Sequence, residues 1–327
     1  HVHKMLRSEN LPCYLFPEED AIEKLAQAAT IVVDSFNFRE HLFSPLTNHA
    51  RIIQLWHGVG FKEIGFVELK TELVWKDKNL DIERFYSNYH TVVSTSPFYT
   101  KEVFSKSFKA DNIVDLGYPR NDILFKQTDK NSMINCDMAS FNKVLEMRKR
   151  TKTVLYAPTF RDDGSPMFAN WLDFEALHNF LLESNIHLLI KAHQYSPVEL
   201  ASNLSNITIY DNATDVYPLL PHVDIMVTDY SSIYMDYLLL DRPVIFFCPD
   251  YERYVTHNRQ FQFPYEEMTP GPKCRTQDAL HDALTSAASG VDEYADDRAA
   301  LREKAFLHLD GNSAQRITDY ICQVIQE

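Results

Sequence analysis

Two histidines stand at the ends of apolar, strand-like runs. His57 is followed by Gly58 and Gly60, and His193 comes two residues after Lys191 in the run LLIKAHQ. An imidazole accepts a proton near neutral pH, and a glycine lets the backbone turn tightly or approach a ligand. A lysine beside an imidazole at a strand end suits the charge of a pyrophosphate. Each motif alone also fits a plainer interpretation, a histidine bonded to a turn carbonyl or a lysine that reaches water.

The segment Val223–Asp241 is typical of a buried strand that runs directly into a helix. Its Val- and Ile-rich part stops at Asp229, and Ser231 and Ser232 then occupy the position of a helix N-cap. Free N–H groups and the positive end of the helix dipole at the carboxyl edge of a sheet favour phosphate binding. Asp236, one turn later, suits ribose hydroxyls. A structural cap and a solvated carboxylate are the alternatives.

Three further strand ends or turns carry polar candidates. In YAPTFRDD, Thr159 can donate a hydroxyl and Arg161 can fork onto phosphate oxygens, although a surface pair of Arg161 with Asp162 fits equally. Arg120 lies in the turn GYPRND, and Val216 lies in DVY just before the strand at 223. P-loop, GxGxxG, GxSxG and HExxH motifs do not occur, so the sequence lacks the usual marks of kinases, dinucleotide dehydrogenases, serine hydrolases and zincins.

The composition limits the partners and cofactors. A net charge of −14 argues against a nucleic-acid partner, because phosphate backbones require a basic surface. Five scattered cysteines without a CxxC pair predict neither a disulfide framework nor a zinc site, and they favour a reducing cytoplasm. No cofactor is firmly predicted and no metal ligands are assigned, although Asp229 and Asp162 leave Mg²⁺ open.

The chain ends and surface charges add three expectations. No apolar run approaches the roughly 20 residues that span a bilayer, and nothing resembles a signal peptide. The basic residues between Lys143 and Lys152 suit peripheral contact with anionic lipid or polymer, but a solvated helix end is the preferred interpretation. The chain opens with His-Val-His, which suggests a tag remnant or a cut from a longer polypeptide.

Apolar runs alternate with helical patterns along the whole chain, which predicts an α/β fold with mainly parallel sheets. A polar, aperiodic stretch from Lys126 to Ser140 is the best linker, so we expect domains at 1–135 and 136–327, the second with a helical tail. Two such halves would face one another across a central cleft between sheet edges. Strands are predicted near 31–34, 52–56, 91–95, 112–116, 153–157, 187–192, 207–210, 223–228 and 243–247. Helices are predicted near 17–29, 97–106, 119–125, 172–183, 213–220, 231–240, 276–288, 293–308 and 314–326.

Seven motifs in this order resemble the CDP-glycerol glycerophosphotransferases, which build wall teichoic acids and related capsule polymers. They are LWHGVGFKEIGF, VVSTSPFYTKEVF, LGYPRNDIL, VLYAPTFRDD, LLIKAHQ, TDVYPLL and VTDYSSIYMDYLLLDRPVIFF, between about Ile31 and Tyr254. The resemblance implies a GT-B-like pair of Rossmann-type domains. It also implies transfer of glycerol or ribitol phosphate from a CDP-alditol onto a hydroxyl of an anionic polymer, with release of CMP.

The resemblance also implies roles for individual residues. His57 matches the catalytic base, His193 the second essential histidine, and Asp236 the acidic residue near the ribose. Arg161, Ser231 and Ser232 match residues around the pyrophosphate. The remaining donor-side candidates are Thr159, Lys191, Asp229 and Val216, and the acceptor-side candidates are Gly58 and Arg120.

The sequence departs from the family pattern at two positions. Val59 replaces a Thr after His-Gly, and Gln194 replaces a Pro after Lys-x-His. The first change removes a hydroxyl near the base, so details of the acceptor or donor can differ from those of the family. Two other functions stay open: a GT-B glycosyltransferase that uses a nucleotide sugar, since the same scaffold serves both reactions, and a non-catalytic module of a larger multidomain polymer synthase.

Overall fold

The computed structural model describes residues 2–39, 44–70, 78–130, 132–161, 171–192, 204–257 and 260–326. The chain divides into two compact units. The first contains His1–His57, Glu63–Ile134 and Lys304–Glu327, and the second contains Gly58–Lys62 and Asn135–Glu303. Within the described residues, no helix is long and apolar enough to cross a membrane.

The first unit is built on a four-stranded parallel sheet with the strands in chain order. Its inner strands are rich in β-branched residues and deeply buried, as parallel sheets require; Ile53, Val92 and Val93 are fully enclosed. The edge strand is less covered, since Val32 is 41% exposed. The strands are β1 (Thr30–Val33), β2 (Arg51–Gln54), β3 (Tyr89–Ser94) and β4 (Ala110–Asp115).

The second unit contains a six-stranded parallel sheet with the order β10-β9-β8-β5-β6-β7. Read from β7, this is the Rossmann order 3-2-1-4-5-6, in which the chain reverses direction across the sheet between β5 and β8. Ligands of such sheets bind outside the carboxyl ends of the strands at this switch point. The strands are β5 (Lys152–Ala157), β6 (Ile186–Ile190), β7 (Ile207–Ile209), β8 (Ile225–Thr228), β9 (Val244–Phe247) and β10 (Lys273–Cys274).

The segments between strands are mostly helical, as the crossovers of parallel sheets require. The α-helices are Val2–Ser8, Glu19–Gln27, Lys78–Tyr86, Met138–Met147, Phe174–Glu183, Ile233–Tyr237, Tyr251–His257, Tyr265–Met268, Gln277–Ala288, Ala295–Ala305 and Ser313–Gln326; Pro97–Tyr99 and Ser105–Ser107 are α-helical turns around a π-helical turn, Thr100–Phe104. The 3-10 helices are Asn37–Arg39, Ser44–Thr47, Gly65–Lys70, Pro119–Leu124, Tyr217–His222 and Leu238–Leu240.

The C-terminal helix belongs to the first unit, whereas the sequence prediction placed it with 136–327. Asp122 holds the start of this helix, because its carboxylate accepts hydrogen bonds from the backbone N–H groups of Ser313 and Ala314, both at 2.9 Å. In the middle of the helix, Tyr320 shares a 2.8 Å hydrogen bond with Thr91 of β3. The amphipathic pattern of the helix predicts a buried face but not the surface that covers it. The segment Gly58–Lys62 also departs from the prediction, because it belongs to the second unit and not to a domain 1–135. Apart from this segment and the C-terminal one, the predicted boundary at 135/136 lies beside the observed one at 134/135.

Candidate functional site

His57 is placed by a tight turn at the carboxyl end of β2. The buried Gln54 side chain donates to Ser35 O at 3.1 Å and accepts from Trp56 N at 2.9 Å, which fixes the turn. Trp56 has a φ of 62°, a conformation that few non-glycine residues adopt. The imidazole Nδ1 of His57 then lies 3.3 Å from Asp34 O. Because a carbonyl oxygen only accepts, Nδ1 carries the proton and Nε2 carries the lone pair that a general base needs.

The surroundings of His57 favour the neutral imidazole. Desolvation lowers the pKa of His57 below the ordinary 6.5, the positive charge of Arg120 lowers it further, and the hydrogen bond to the Asp34 carbonyl partly opposes both. The side chain is solvent-exposed, with its ring 4.2 Å from the Trp56 ring, so water moderates the desolvation. Gly58 follows with a φ of 147°, where a larger residue would be strained.

In the second unit, the loops after β5 and β8 are joined at the switch point of the sheet. The backbone N–H of Thr159 donates to Asp229 Oδ1 at 2.8 Å, and the same oxygen accepts from Tyr230 N at 2.5 Å. Asp229 is fully buried. Its carboxylate therefore fixes two backbone turns from within the protein and does not face solvent.

Arg161 lies inside the protein, with only 2% of its surface exposed. Its Nε donates to Asp250 Oδ2 at 2.7 Å, its Nη2 lies 2.8 Å from Asp229 Oδ2, and its Nη1 donates to Thr159 O. Burial opposes the charge, but the two carboxylates outweigh burial and raise the pKa of Arg161. The prediction that this guanidinium forks onto phosphate oxygens does not fit this geometry, because every nitrogen already has a protein partner.

Ser231 and Ser232 lie at the start of the helix Ile233–Tyr237, as predicted, but they do not cap it in the expected way. Ser232 is the N-cap residue with helical backbone angles, and its side chain accepts no capping hydrogen bond. Ser231 Oγ makes only a long contact of 3.5 Å with Ile233 N. Gly60 packs against this helix start, since a Cβ there would lie 3.2 Å from Ser232 Cβ.

The other donor-side candidates brace loops of the second unit. Lys191 follows β6, and its Nζ donates to the carbonyls of Asp211 and Thr214, both at 2.8 Å, while burial lowers its pKa. Asp236 is fully buried and accepts a 2.5 Å hydrogen bond from the Tyr217 hydroxyl. Contact of Asp236 with a ribose would therefore require this buried carboxylate to become accessible.

Other predicted positions give a mixed outcome. Val216 is buried at the start of the 3-10 helix Tyr217–His222, where only its backbone suits a ligand. His193 and Asp162 lie outside the described residues. Within the described part of the chain, no group of His, Cys, Asp or Glu side chains is arranged to hold a metal ion.

Asp250 is a site residue that the sequence analysis missed. It follows the apolar run VIFFC, so it stands at the carboxyl end of β9 as Asp229 stands at the end of β8. Its Oδ1 accepts from Arg161 Nη2 and from the Tyr230 hydroxyl, both at 3.1 Å. The same strand-end pattern that singled out Asp229 would have found it.

The family model described as CDP-Glycerol:Poly(glycerophosphate) glycerophosphotransferase matches residues 8–323. This chain belongs to that family. The predicted resemblance is confirmed, and it extends on both sides of the segment between Ile31 and Tyr254 that first indicated it.

Individual relatives of this glycerophosphotransferase-family chain agree with the assignment. A teichoic acid glycerol-phosphate transferase of Staphylococcus aureus (strain NCTC 8325 / PS 47) is 30% identical over 295 residues, which cover 86% of this chain and 72% of the transferase. A teichoic acid ribitol-phosphate primase of Bacillus spizizenii (strain ATCC 23059 / NRRL B-14472 / W23) is 28% identical over 305 residues, which cover 91% and 75% of the two chains.

The family fold is also found among solved structures. An H-to-N variant of the Wall Teichoic Acid Polymerase TagF, soaked with CDPG, has a TM-score of 0.71 and 25% identity to the glycerophosphotransferase-family chain. The match covers 91% of this chain and 73% of the polymerase chain. The predicted GT-B-like α/β class with two parallel sheets is therefore confirmed.

Proposed function

We propose that this protein transfers glycerol phosphate or ribitol phosphate from a CDP-alditol onto a hydroxyl of a growing anionic polymer and releases CMP. The observation that carries the proposal is the placement of His57 at the carboxyl end of β2, where its Nδ1 lies 3.3 Å from Asp34 O and its Nε2 is left to accept a proton. The surroundings lower the pKa of His57, which favours the neutral form that a base requires. The family match supports the substrate class, since its description names CDP-glycerol and poly(glycerophosphate).

In the proposed reaction, the acceptor oxygen attacks the distal phosphorus of the CDP-alditol. The bond between this phosphorus and the bridging oxygen breaks, and CMP leaves with that oxygen, in line with and opposite to the attacking oxygen. His57 Nε2 takes the proton of the attacking hydroxyl, a contribution of about 10²–10⁴-fold in rate for a well-placed base. The hydrogen bond to Asp34 O keeps the ring in the tautomer that this step requires.

On the donor side, we propose that the diphosphate binds at the switch point between β5 and β8. The Ser231 and Ser232 hydroxyls and the neighbouring backbone N–H groups would hold its oxygens, since Ser232 Oγ is not used for capping. His193 is proposed as a second contact on the strength of the family resemblance. Lys191 and Arg161 are proposed to act by holding loops, because their nitrogens are bonded to protein carbonyls and carboxylates.

The relatives name both alditols, glycerol for the transferase and ribitol for the primase, so the proposal includes CDP-glycerol and CDP-ribitol. Action within a larger polymerase and peripheral contact with a membrane surface are further proposals. The exposed basic residues after the helix Met138–Met147 suit an anionic surface, although Lys149 already pairs with Glu146 at 2.6 Å and Arg148 with His222 at 2.9 Å.

The test is a competition assay with purified protein. CDP-glycerol, CDP-ribitol and a panel of nucleotide sugars are offered with a teichoic-acid-type acceptor, CMP release is followed, and products are identified by mass spectrometry. We expect the acceptor to grow by units of an alditol phosphate. Turnover of a nucleotide sugar alone would contradict the proposal in favour of a glycosyltransferase. Donor binding without turnover on any acceptor would favour a binding module.

A further inference from the structure

Three loops at the carboxyl edge of the second sheet are joined by one buried ion network. Arg161 comes from the loop after β5, Asp229 from the loop after β8, and Asp250 from the loop after β9. The Arg161–Asp250 contact is bidentate, with distances of 2.7 and 3.1 Å, and both side chains are at least 96% buried. The guanidinium also lies 5.1 Å from the ring centroid of Tyr230. A buried, bidentate ion pair of this kind fixes the orientation of both side chains.

The network controls the backbone of Thr159 from both sides. Asp229 accepts from the Thr159 N–H at 2.8 Å, and Arg161 Nη1 donates to the Thr159 carbonyl. The Thr159 hydroxyl oxygen is itself buried, and no described residue bonds to it. An unsatisfied buried hydroxyl is unfavourable, so a group that bonds to this oxygen gains affinity. Its position at the switch point is where the donor diphosphate is proposed to lie.

We propose that Asp250 is a positioning residue for donor binding: it holds Arg161 so that Arg161 fixes Thr159 with its hydroxyl presented to the donor diphosphate. This inference rests on the proposed function, since it names how the same donor site is built. Asp250 acts indirectly, because its carboxylate bonds to Arg161 and to the Tyr230 hydroxyl. Asp229 differs, since it also accepts backbone N–H groups directly.

A purely structural role for the network is the competing explanation. A buried ion pair contributes little net stability on average, but loss of one partner leaves the other charge buried and destabilises the fold. Stability alone therefore does not separate the two roles. Energetic coupling between Asp250 and the Thr159 hydroxyl does, because a structural residue would weaken binding independently of that hydroxyl.

The experiment is a double-mutant cycle on the full chain, with the variants Thr159→Val, Asp250→Asn and the combination. The Kd of CDP, the part that both donors share, is measured by titration calorimetry. We expect each single variant to weaken CDP binding about tenfold, as loss of a hydrogen bond to a charged group implies. The combined variant should also bind CDP only about tenfold more weakly than the wild type. Two independent effects would instead weaken binding roughly a hundredfold.

Asp292→Asn is the matched control. Asp292 also makes a bidentate pair with a buried arginine, Arg298, in the same unit. We expect the Asp292→Asn variant to have a lower melting temperature than the wild type and an unchanged Kd for CDP. If Asp250→Asn does not fold, Tyr230→Phe removes the 3.1 Å bond to the same carboxylate and should show the same coupling to Thr159→Val at smaller size.

The outcomes separate this inference from the proposed function. A hundredfold loss in the combined variant, unchanged binding in Asp250→Asn, or no CDP binding by the wild-type chain would each overturn the inference. A wild-type chain that binds CDP with the expected coupling but never transfers an alditol phosphate would support the positioning role and contradict the transfer reaction.

Discussion

Replacing His57 with alanine should reduce the rate far more than the stability. The side chain is exposed and makes one hydrogen bond of 3.3 Å, to Asp34 O. A typical hydrogen bond contributes about 0.5–1.5 kcal/mol, and this long one belongs at the lower end. We therefore expect the free energy of unfolding to fall by about 1 kcal/mol or less. Loss of a general base lowers the rate about 10²–10⁴-fold, which is about 2.7–5.4 kcal/mol of activation free energy.

The pH dependence of the wild type provides the second half of this test. His57 works as a base in its neutral form, and its pKa lies below the ordinary 6.5. As the pH falls, the midpoint of the decline in kcat/KM should therefore lie below pH 6.5. Arg120→Gln removes a positive charge that lowers the pKa of His57, so the decline should begin at a higher pH in that variant.

The assay is CMP release from a CDP-alditol under single-turnover conditions, with the melting temperature and the donor Kd measured on the same samples. His49→Ala serves as the control, because this histidine is also exposed in the first unit and should leave the rate unchanged. An unchanged single-turnover rate in His57→Ala would remove His57 from the mechanism. If the decline of the rate at low pH begins at the same pH in Arg120→Gln as in the wild type, the electrostatic argument is wrong.

Three further predictions concern the second unit and the loop after His57. The double variant of Ser231 and Ser232 to alanine should bind CDP more weakly, with little change in melting temperature. Loss of a capping hydrogen bond typically destabilises a protein by about 1 kcal/mol, but the Ser232 side chain makes no such bond. Gly60→Ala should weaken donor binding several-fold in the same titration, since the added Cβ would lie 3.2 Å from Ser232 Cβ. His187 is fully buried and desolvation lowers its pKa to about 4, so its unfolded form binds the proton first as the pH falls from 6.5. In urea unfolding experiments, this histidine should lower the free energy of unfolding by an amount on the order of 3 kcal/mol between neutral pH and pH 4. The His187→Gln variant should lack this contribution to the pH dependence.

The sheets could be predicted from the sequence because parallel strands are buried on both faces and appear as apolar runs. The strand predicted near 153–157 is observed at Lys152–Ala157, and the strand predicted near 207–210 is observed at Ile207–Ile209. Several elements escaped prediction, among them the helices Val2–Ser8, Lys78–Tyr86 and Tyr265–Met268. Lys273–Cys274 is only two residues long, and the helix Tyr251–His257 has only seven residues, too few for a clear repeat of apolar positions.

The candidate site could be predicted in position but not in bonding. Residue types at strand ends correctly located Thr159, Arg161 and Asp229 at one sheet edge. The bonds that occupy Arg161 were not visible, because Asp250 lies 89 residues further along the chain. Likewise, the spacing of Ser232 and Asp236 indicated a helix, but it did not reveal that Tyr217 holds the carboxylate.

The helix after β8 changes the electrostatic argument for donor binding. The sequence pattern suggested a long helix whose dipole would attract the diphosphate, but the α-helical part is only Ile233–Tyr237, followed by a 3-10 turn. A short helix has few aligned peptide dipoles. The two cations predicted on the donor side among the described residues, Lys191 and Arg161, are held by protein oxygens. Donor affinity would then depend on neutral groups, hydroxyls and backbone N–H, whose strength varies steeply with direction and distance. A rigid network that fixes the loops is what such a site requires, which is why a buried carboxylate as remote as Asp250 should affect donor binding.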